Sequence, residues 1–190
     1  MGTWIALGLA IGRPLAVAFS RGEASDPRDA GHLALQELVL GLAERNGVTR
    51  RFELPTRPAN PSLSIDVLLR DDAHRTLVIV EIWSRFDDLG AAVRNTHRKQ
   101  AEAAAAAVVA GGAGPPYRVA TCWVLRDSAS NRDLVRRYPA IFRNEFRGSS
   151  RAWVLALEHG VKPPPGSGVA WGHPANGLGA LNLPRAPGRS

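Results

Sequence analysis

The chain of 190 residues has one cysteine, one methionine and only two lysines, Lys99 and Lys162. A single cysteine, Cys122, excludes an intramolecular disulfide and points to a reducing, cytoplasmic location. It lies in the strand-like run RVATCWVL and reads as a small buried apolar side chain rather than a nucleophile. With so few lysines, the net charge of +7 and the pI near 10.9 come almost wholly from arginine. That balance favours a polyanionic partner such as nucleic acid, although arginine-rich, alanine-rich usage also arises from a GC-rich genome. No uninterrupted apolar run reaches the roughly 20 residues of a membrane helix, so no membrane partner is expected. The opening TWIALGLAIGRPLAVAF is broken by Arg13 and Pro14, and no basic residue precedes it, although its Ala-Val-Ala has the form of a signal cleavage site. It reads better as a helix to about Gly12 followed by a strand from Leu15 to Ser20.

A hydrophobic fraction of 45% suffices for one domain with its own core. Residues 1–25 would add an N-terminal helix and strand to an α/β domain over 26–160, and the Pro/Gly-rich stretch 161–190 predicts a partly disordered coil. Within the domain, Asp26 or a neighbour can cap a helix to about Asn46, with Leu35, Leu38, Val39 and Leu42 on one face and Gly47 ending it. Strands follow over 48–54, 63–70 and 76–83. Ser84 and Asp87 have the spacing of a capping box, and the alanine-rich run beyond them predicts a helix to about Ala110. Residues 117–125 predict a strand. Asn131 would then cap a helix whose apolar stripe is Leu134, Val135, Tyr138, Ile141, Phe142 and Phe146. There is no internal repeat. The core order is helix, three strands, helix, strand, with a central mixed sheet.

The segment SIDVLLRDDAHRTLVIVEIW places one carboxylate, Asp66 or Glu81, inside each of two strands. A buried carboxylate is unfavourable unless it is paired or binds a cation. With a turn at Asp72-Ala73, or over 71–74, paired residue numbers sum to 145. Asp66 and Glu81 are then diagonal neighbours on one face, roughly 7 Å apart at Cβ, a separation two carboxylates can close around one divalent cation. A turn of three or five residues would put them on opposite faces. Ordinary ion pairing is the alternative: Asp66 with Ser64 and an arginine, Glu81 with Arg94.

The element order, with Asp66 on the second strand and Glu81-Ile82-Trp83 on the third, resembles the core of the PD-(D/E)XK nuclease superfamily, the restriction-endonuclease-like fold, over roughly 26–125. The resemblance implies a four- to five-stranded sheet flanked by helices and a magnesium site whose ligands are Asp66 and Glu81, with Glu37 as an optional acid from the first helix. It also implies a lysine two residues after the glutamate that orients the attacking water; here that position is Trp83. A more specific resemblance rests on DAGHLALQELVL, SIDVLLRDD, VEIWSRFDDLGAAVRNTHRKQAEA, CWVLRDSASNRDLVRRYP and FRGSSRAWVLAL. These are similar to the C-terminal part of a group of actinobacterial transcription regulators whose N-terminal part is an Xre-type helix-turn-helix. The opening WIALGLAIGRPLAV matches the segment that follows that helix-turn-helix, so the DNA-reading part is expected upstream of Met1 or lost.

Phosphodiester hydrolysis needs a metal to activate water and a positive group to offset developing charge, and an indole supplies neither. The family is known for moving its cation onto the following helix, where Arg94 and Lys99 are the candidates. Lys99 shares a stripe with Leu89, Ala92 and Thr96 and so faces the sheet, but at 1.5 Å per residue it sits far along the helix from Glu81. Arg94 has the better depth and the poorer facing. A second candidate surface is the basic segment with Arg132, Arg136, Arg137, Arg143, Arg147 and Arg151, which could contact DNA phosphates or pair within helices, as Asp133 with Arg137. Three functions are compatible with this pattern. One is a catalytically weak or inactive nuclease-like module, a sensor or binding domain in transcription regulation. The others are a magnesium-dependent DNA endonuclease and a dimerisation scaffold working as a homodimer.

Overall fold

In the computed structural model, residues 27–55, 64–85 and 88–181 are described. The helix and strand expected in residues 1–25, and the cap at Asp26, lie outside that range. Helix α1 (Pro27–Arg45) is ended by Gly47, whose φ of +65° suits a residue without Cβ. The strands β1 (Thr49–Pro55), β2 (Ser64–Asp71) and β3 (Thr76–Trp83) form an antiparallel meander. Helix α2 (Leu89–Gly111) carries the chain back so that β4 (Arg118–Arg126) lies parallel to β3. Three short helices follow, α3 (Ala129–Arg137), α4 (Pro139–Glu145) and α5 (Ser150–His159). The chain then adds β5 (Gly168–His173), parallel to β4, and β6 (Gly177–Ala180), antiparallel to β5. The result is a mixed α/β architecture with a six-stranded sheet in sequential order, β1-β2-β3-β4-β5-β6.

Side chains alternate across the sheet and so divide the core into two layers. On one face Val67, Val80, Val124 and Ala170 pack against Leu35, Val39 and Leu42 of α1 and Trp153 and Leu157 of α5. On the other face Ile79 and Leu77 meet Ala103 and Ala107 of α2, while Trp123 and Leu125 meet Phe142 and Phe146. Leu89, Ala92, Thr96, Lys99, Ala103 and Ala107 are the buried stripe of α2, at the three- and four-residue spacing of one helix face. Lys99 is therefore directed inward by the same periodicity that buries its apolar neighbours.

Several expectations are corrected. The coil expected after about Gly160 contains two strands, which raises the sheet from four or five strands to six. Glycine there marks close approach, not loose chain. A Cβ at Gly168 would lie 1.9 Å from Trp153 Cδ1, and one at Gly172 would lie 2.5 Å from Leu35 Cδ2. The single helix expected after Asn131 is broken between Tyr138 and Pro139, where the proline ring starts a new helix. Tyr138 and Ile141 of the expected stripe are exposed as a result. The caps differ as well. Asp88 accepts the Ala91 N–H at the start of α2, and Ser128 accepts the Asn131 N–H at the start of α3. No described helix is long and apolar enough to cross a membrane.

Candidate functional site

The hairpin between β2 and β3 decides where the two acids lie. Its turn occupies residues 72–75, Asp71 pairs with Thr76 and Val67 pairs with Val80, so paired numbers sum to 147. The ladder pairs residues as far as Val67–Val80, and beyond it the Asp66 side chain takes over, its Oδ2 accepting the Ile82 N–H. The expected sum of 145, and the diagonal drawn from it, are corrected by two residues, while Asp66 and Glu81 both line one cavity at the end of the ladder. Glu81 lies beneath α2, and Asp66 lies within reach of His32 on α1.

The two carboxylates occupy different environments. Asp66 Oδ2 accepts the Ile82 backbone N–H at 2.7 Å, which ties the acid across the hairpin. His32 of α1 brings its Nε2 to 3.9 Å from the same oxygen. Glu81 is 2% exposed, and Lys99 Nζ donates to its Oε2 at 2.5 Å. Glu81 Oε1 is buried and has no hydrogen-bond partner among the described residues. Burial, and next the charge of Asp66, push the Glu81 carboxyl up to about 7, with Lys99 pulling in the opposite direction. Buried Lys99 is thus the counter-charge at the bottom of the site. This corrects the expected distance along the helix: α2 crosses the sheet so that its third turn, not its first, stands over Glu81.

Around this pair is a cavity of about 320 Å3 at the end of β3. Ser64, Trp83, Ser84, Arg85, Asn95 and Arg98 complete its wall beside His32, Asp66, Glu81 and Lys99. Arg98 also bonds Glu102 through Nη1, with both contacts at 3.1 Å. Arg94 is exposed and takes no part in the wall, so it is not the Glu81 partner considered from sequence. Glu37 is exposed on α1 and also stands outside the cavity. The first helix contributes His32 instead, five residues earlier. Its signal in DAGHLALQELVL was a polar residue ahead of the apolar stripe.

Magnesium typically binds through one or two carboxylates while keeping several waters, and it takes substrate phosphate oxygens as further ligands. Asp66 and the unpartnered Oε1 of Glu81 fit that demand. Among the described residues, no group of three or more His, Cys, Asp or Glu side chains is placed to hold a metal by itself. The fit is therefore to a cation completed by water and substrate, not to a closed structural site.

The basic segment is more heavily engaged than its sequence suggested. Arg132 pairs with Asp127 and lies over the Trp171 ring, with Cζ 5.2 Å from its centroid. Arg136 pairs with Asp133, in place of the expected Asp133–Arg137 pair. Arg147 bonds Asn144, Arg143 is half-buried, and Arg137 and Arg151 are exposed. Cys122 is fully buried, and its burial pushes the thiol up, which suits packing rather than attack. In comparisons with known proteins, no family model, no curated protein and no solved structure matches the chain.

Proposed function

We propose that Asp66, Glu81 and Lys99 form a magnesium-dependent site of the PD-(D/E)XK kind, acting on nucleic-acid phosphodiesters, on a restriction-endonuclease-like core formed by α1, β1–β3, α2 and β4. The observation that supports this reading is the convergence of two carboxylates with one buried ammonium in an open, positively rimmed cavity. The motif's lysine position holds Trp83, and Lys99 of α2 reaches the same glutamate from the neighbouring element.

A bound magnesium ion would supply Lewis acidity and a lowered pKa for its water. The chain's own groups do the rest. Asp66 is fixed by the Ile82 N–H, so its orientation is set before any ligand arrives. Glu81 keeps Oε1 without a hydrogen-bond partner among the described residues while Lys99 holds Oε2. The Lys99 ammonium offsets negative charge that develops on a reacting phosphate. Arg85 and Arg98 bring positive charge to the wall, where they attract the flanking backbone.

The test is cleavage of end-labelled single-stranded and duplex DNA with millimolar magnesium or manganese. The wild type should cut only with the cation, and Asp66→Asn and Lys99→Arg should each lose at least 100-fold. Cleavage that persists in Asp66→Asn would place the activity elsewhere. Trp83 at the motif position, with Lys99 already bonded to Glu81, favours a second reading. In it, the domain binds cation and nucleic acid without cutting, as a module in transcription regulation. Cation-dependent DNA binding by a wild type that never cleaves would select it.

A further inference from the structure

Trp83 replaces a lysine in the motif, and its surroundings give that replacement a use. It lies two residues beyond Glu81 on β3, hence on the same face and roughly 7 Å further along the strand. Its indole is half-buried and lines the cavity with Asp66, Glu81 and Lys99. The ring is backed by Trp123, with centroids 5.3 Å apart and planes at 48°. Trp123 is itself fixed, since its Nε1 donates to Thr96 Oγ1 at 2.9 Å and it packs on Phe146 with centroids 4.8 Å apart. The backbone behind Trp83 is also anchored. Asn131, 1% exposed, donates from Nδ2 to the carbonyls of Trp83 and Ser84 at 3.3 Å and of Arg126 at 2.9 Å. An aromatic surface held this firmly beside a charged cavity is pre-organised for stacking.

The depth of the charged groups narrows the ligand. Glu81 is 2% and Lys99 8% exposed, at the bottom of about 320 Å3. That volume is at the lower end for small-ligand sites and holds about one nucleotide. A paired, stacked duplex keeps its backbone on the outside of the cavity. A single strand can turn one nucleotide inward, bringing its phosphate toward Lys99 and its base against the wall. We propose that the Trp83 indole is a stacking platform for an unpaired nucleobase and that the preferred ligand of this cavity is a single strand. The proposal rests on the phosphodiester reading above and adds the substrate class to it.

The test is fluorescence anisotropy with the full chain and a labelled 12-nucleotide single strand, its duplex, and the same single strand with central abasic positions. Millimolar calcium replaces magnesium, to limit turnover. The single strand should bind more tightly than the duplex. Trp83→Ala should weaken it about 5- to 150-fold, the range of one base stacked on an aromatic ring, and Trp83→Phe should restore most of the loss. For the wild type, the abasic strand should bind about as weakly as the intact strand binds Trp83→Ala. This arm needs no variant and stands even if Trp83→Ala misfolds. Equal or tighter duplex binding, equal binding of abasic and intact strands, or no strand binding at all would overturn the proposal. If the divalent cation still raises the melting temperature in those cases, only the platform fails. If the cation response is also absent, the phosphodiester reading fails with it.

Discussion

The β2–β3 hairpin carries acidic side chains at both ends, and the fold treats the two ends in opposite ways. At the turn, Asp72 accepts from the Tyr117 hydroxyl and from Arg70 Nε, each at 2.6 Å, and Asp71 accepts from the His74 N–H at 3.0 Å while bonding its ring at 2.7 Å. Arg70 and Arg75 flank the Tyr117 ring, with Cζ 5.1 and 4.8 Å from its centroid. The Tyr117 hydroxyl first, and then Arg70, hold Asp72 below the usual carboxylate range. At the other end, Glu81 is buried, raised to about 7, and left with one oxygen unmatched. Acids at the turn are solved structurally. Glu81 lines a cavity with one oxygen unmatched, the kind of perturbed buried acid from which a functional site is proposed.

The difference between the two ends should be large in stability measurements. Lys99→Met removes the hydrogen bond to Glu81 Oε2 and leaves the carboxylate charge buried, so it should destabilise the fold by about 3–5 kcal/mol at pH 8 in urea unfolding. The loss should shrink at pH 5, where Glu81 can take a proton. A loss that is equal at both pH values would mean that Glu81 is not the charge Lys99 compensates.

Next in size is the pH dependence. Because its folded pKa is raised above the ordinary 4.5, Glu81 binds a proton more tightly in the folded state. Its contribution is favourable at low pH and is lost as pH rises from about 4.5 to 7, on the order of 3 kcal/mol. Unfolding free energies between pH 4 and 8 should show that decline in the wild type and a flatter profile in Glu81→Gln. Parallel profiles would remove Glu81 as the titrating group.

The smallest effect belongs to the turn. Asp72→Asn keeps the side chain's shape and its solvent exposure, so its unfolding midpoint should stay close to that of the wild type. A loss comparable to Lys99→Met would abolish the contrast between the two ends.

Much of this layout was legible because it rests on periodicity. The alternation in β2 and β3 pointed to a common site for Asp66 and Glu81, which line one cavity, and the stripe of α2 turned Lys99 inward. Register was harder, because several even-length turns preserve the face, and the turn over 72–75 is held by contacts distant in sequence, such as Asp72 with Tyr117 and Arg75 with Pro115. The depth of Lys99 was missed because it depends on how α2 crosses the sheet, which no local pattern encodes. In the Pro/Gly-rich segment, composition pointed to coil, while Gly168 and Gly172 are small because Trp153 and Leu35 press against them. His32 was missed because α1 meets the hairpin only in three dimensions.

The central claim is that Asp66 and Glu81 receive a divalent cation. Thermal unfolding with and without magnesium or manganese tests it most directly, comparing the wild type with Asp66→Asn/Glu81→Gln. At ten times the dissociation constant, one site adds about 1.4 kcal/mol, which raises the melting temperature of a chain this size by about 3–6 °C. The account predicts that rise in the wild type and none in the double variant. No rise in the wild type, or an equal rise in both proteins, would contradict it.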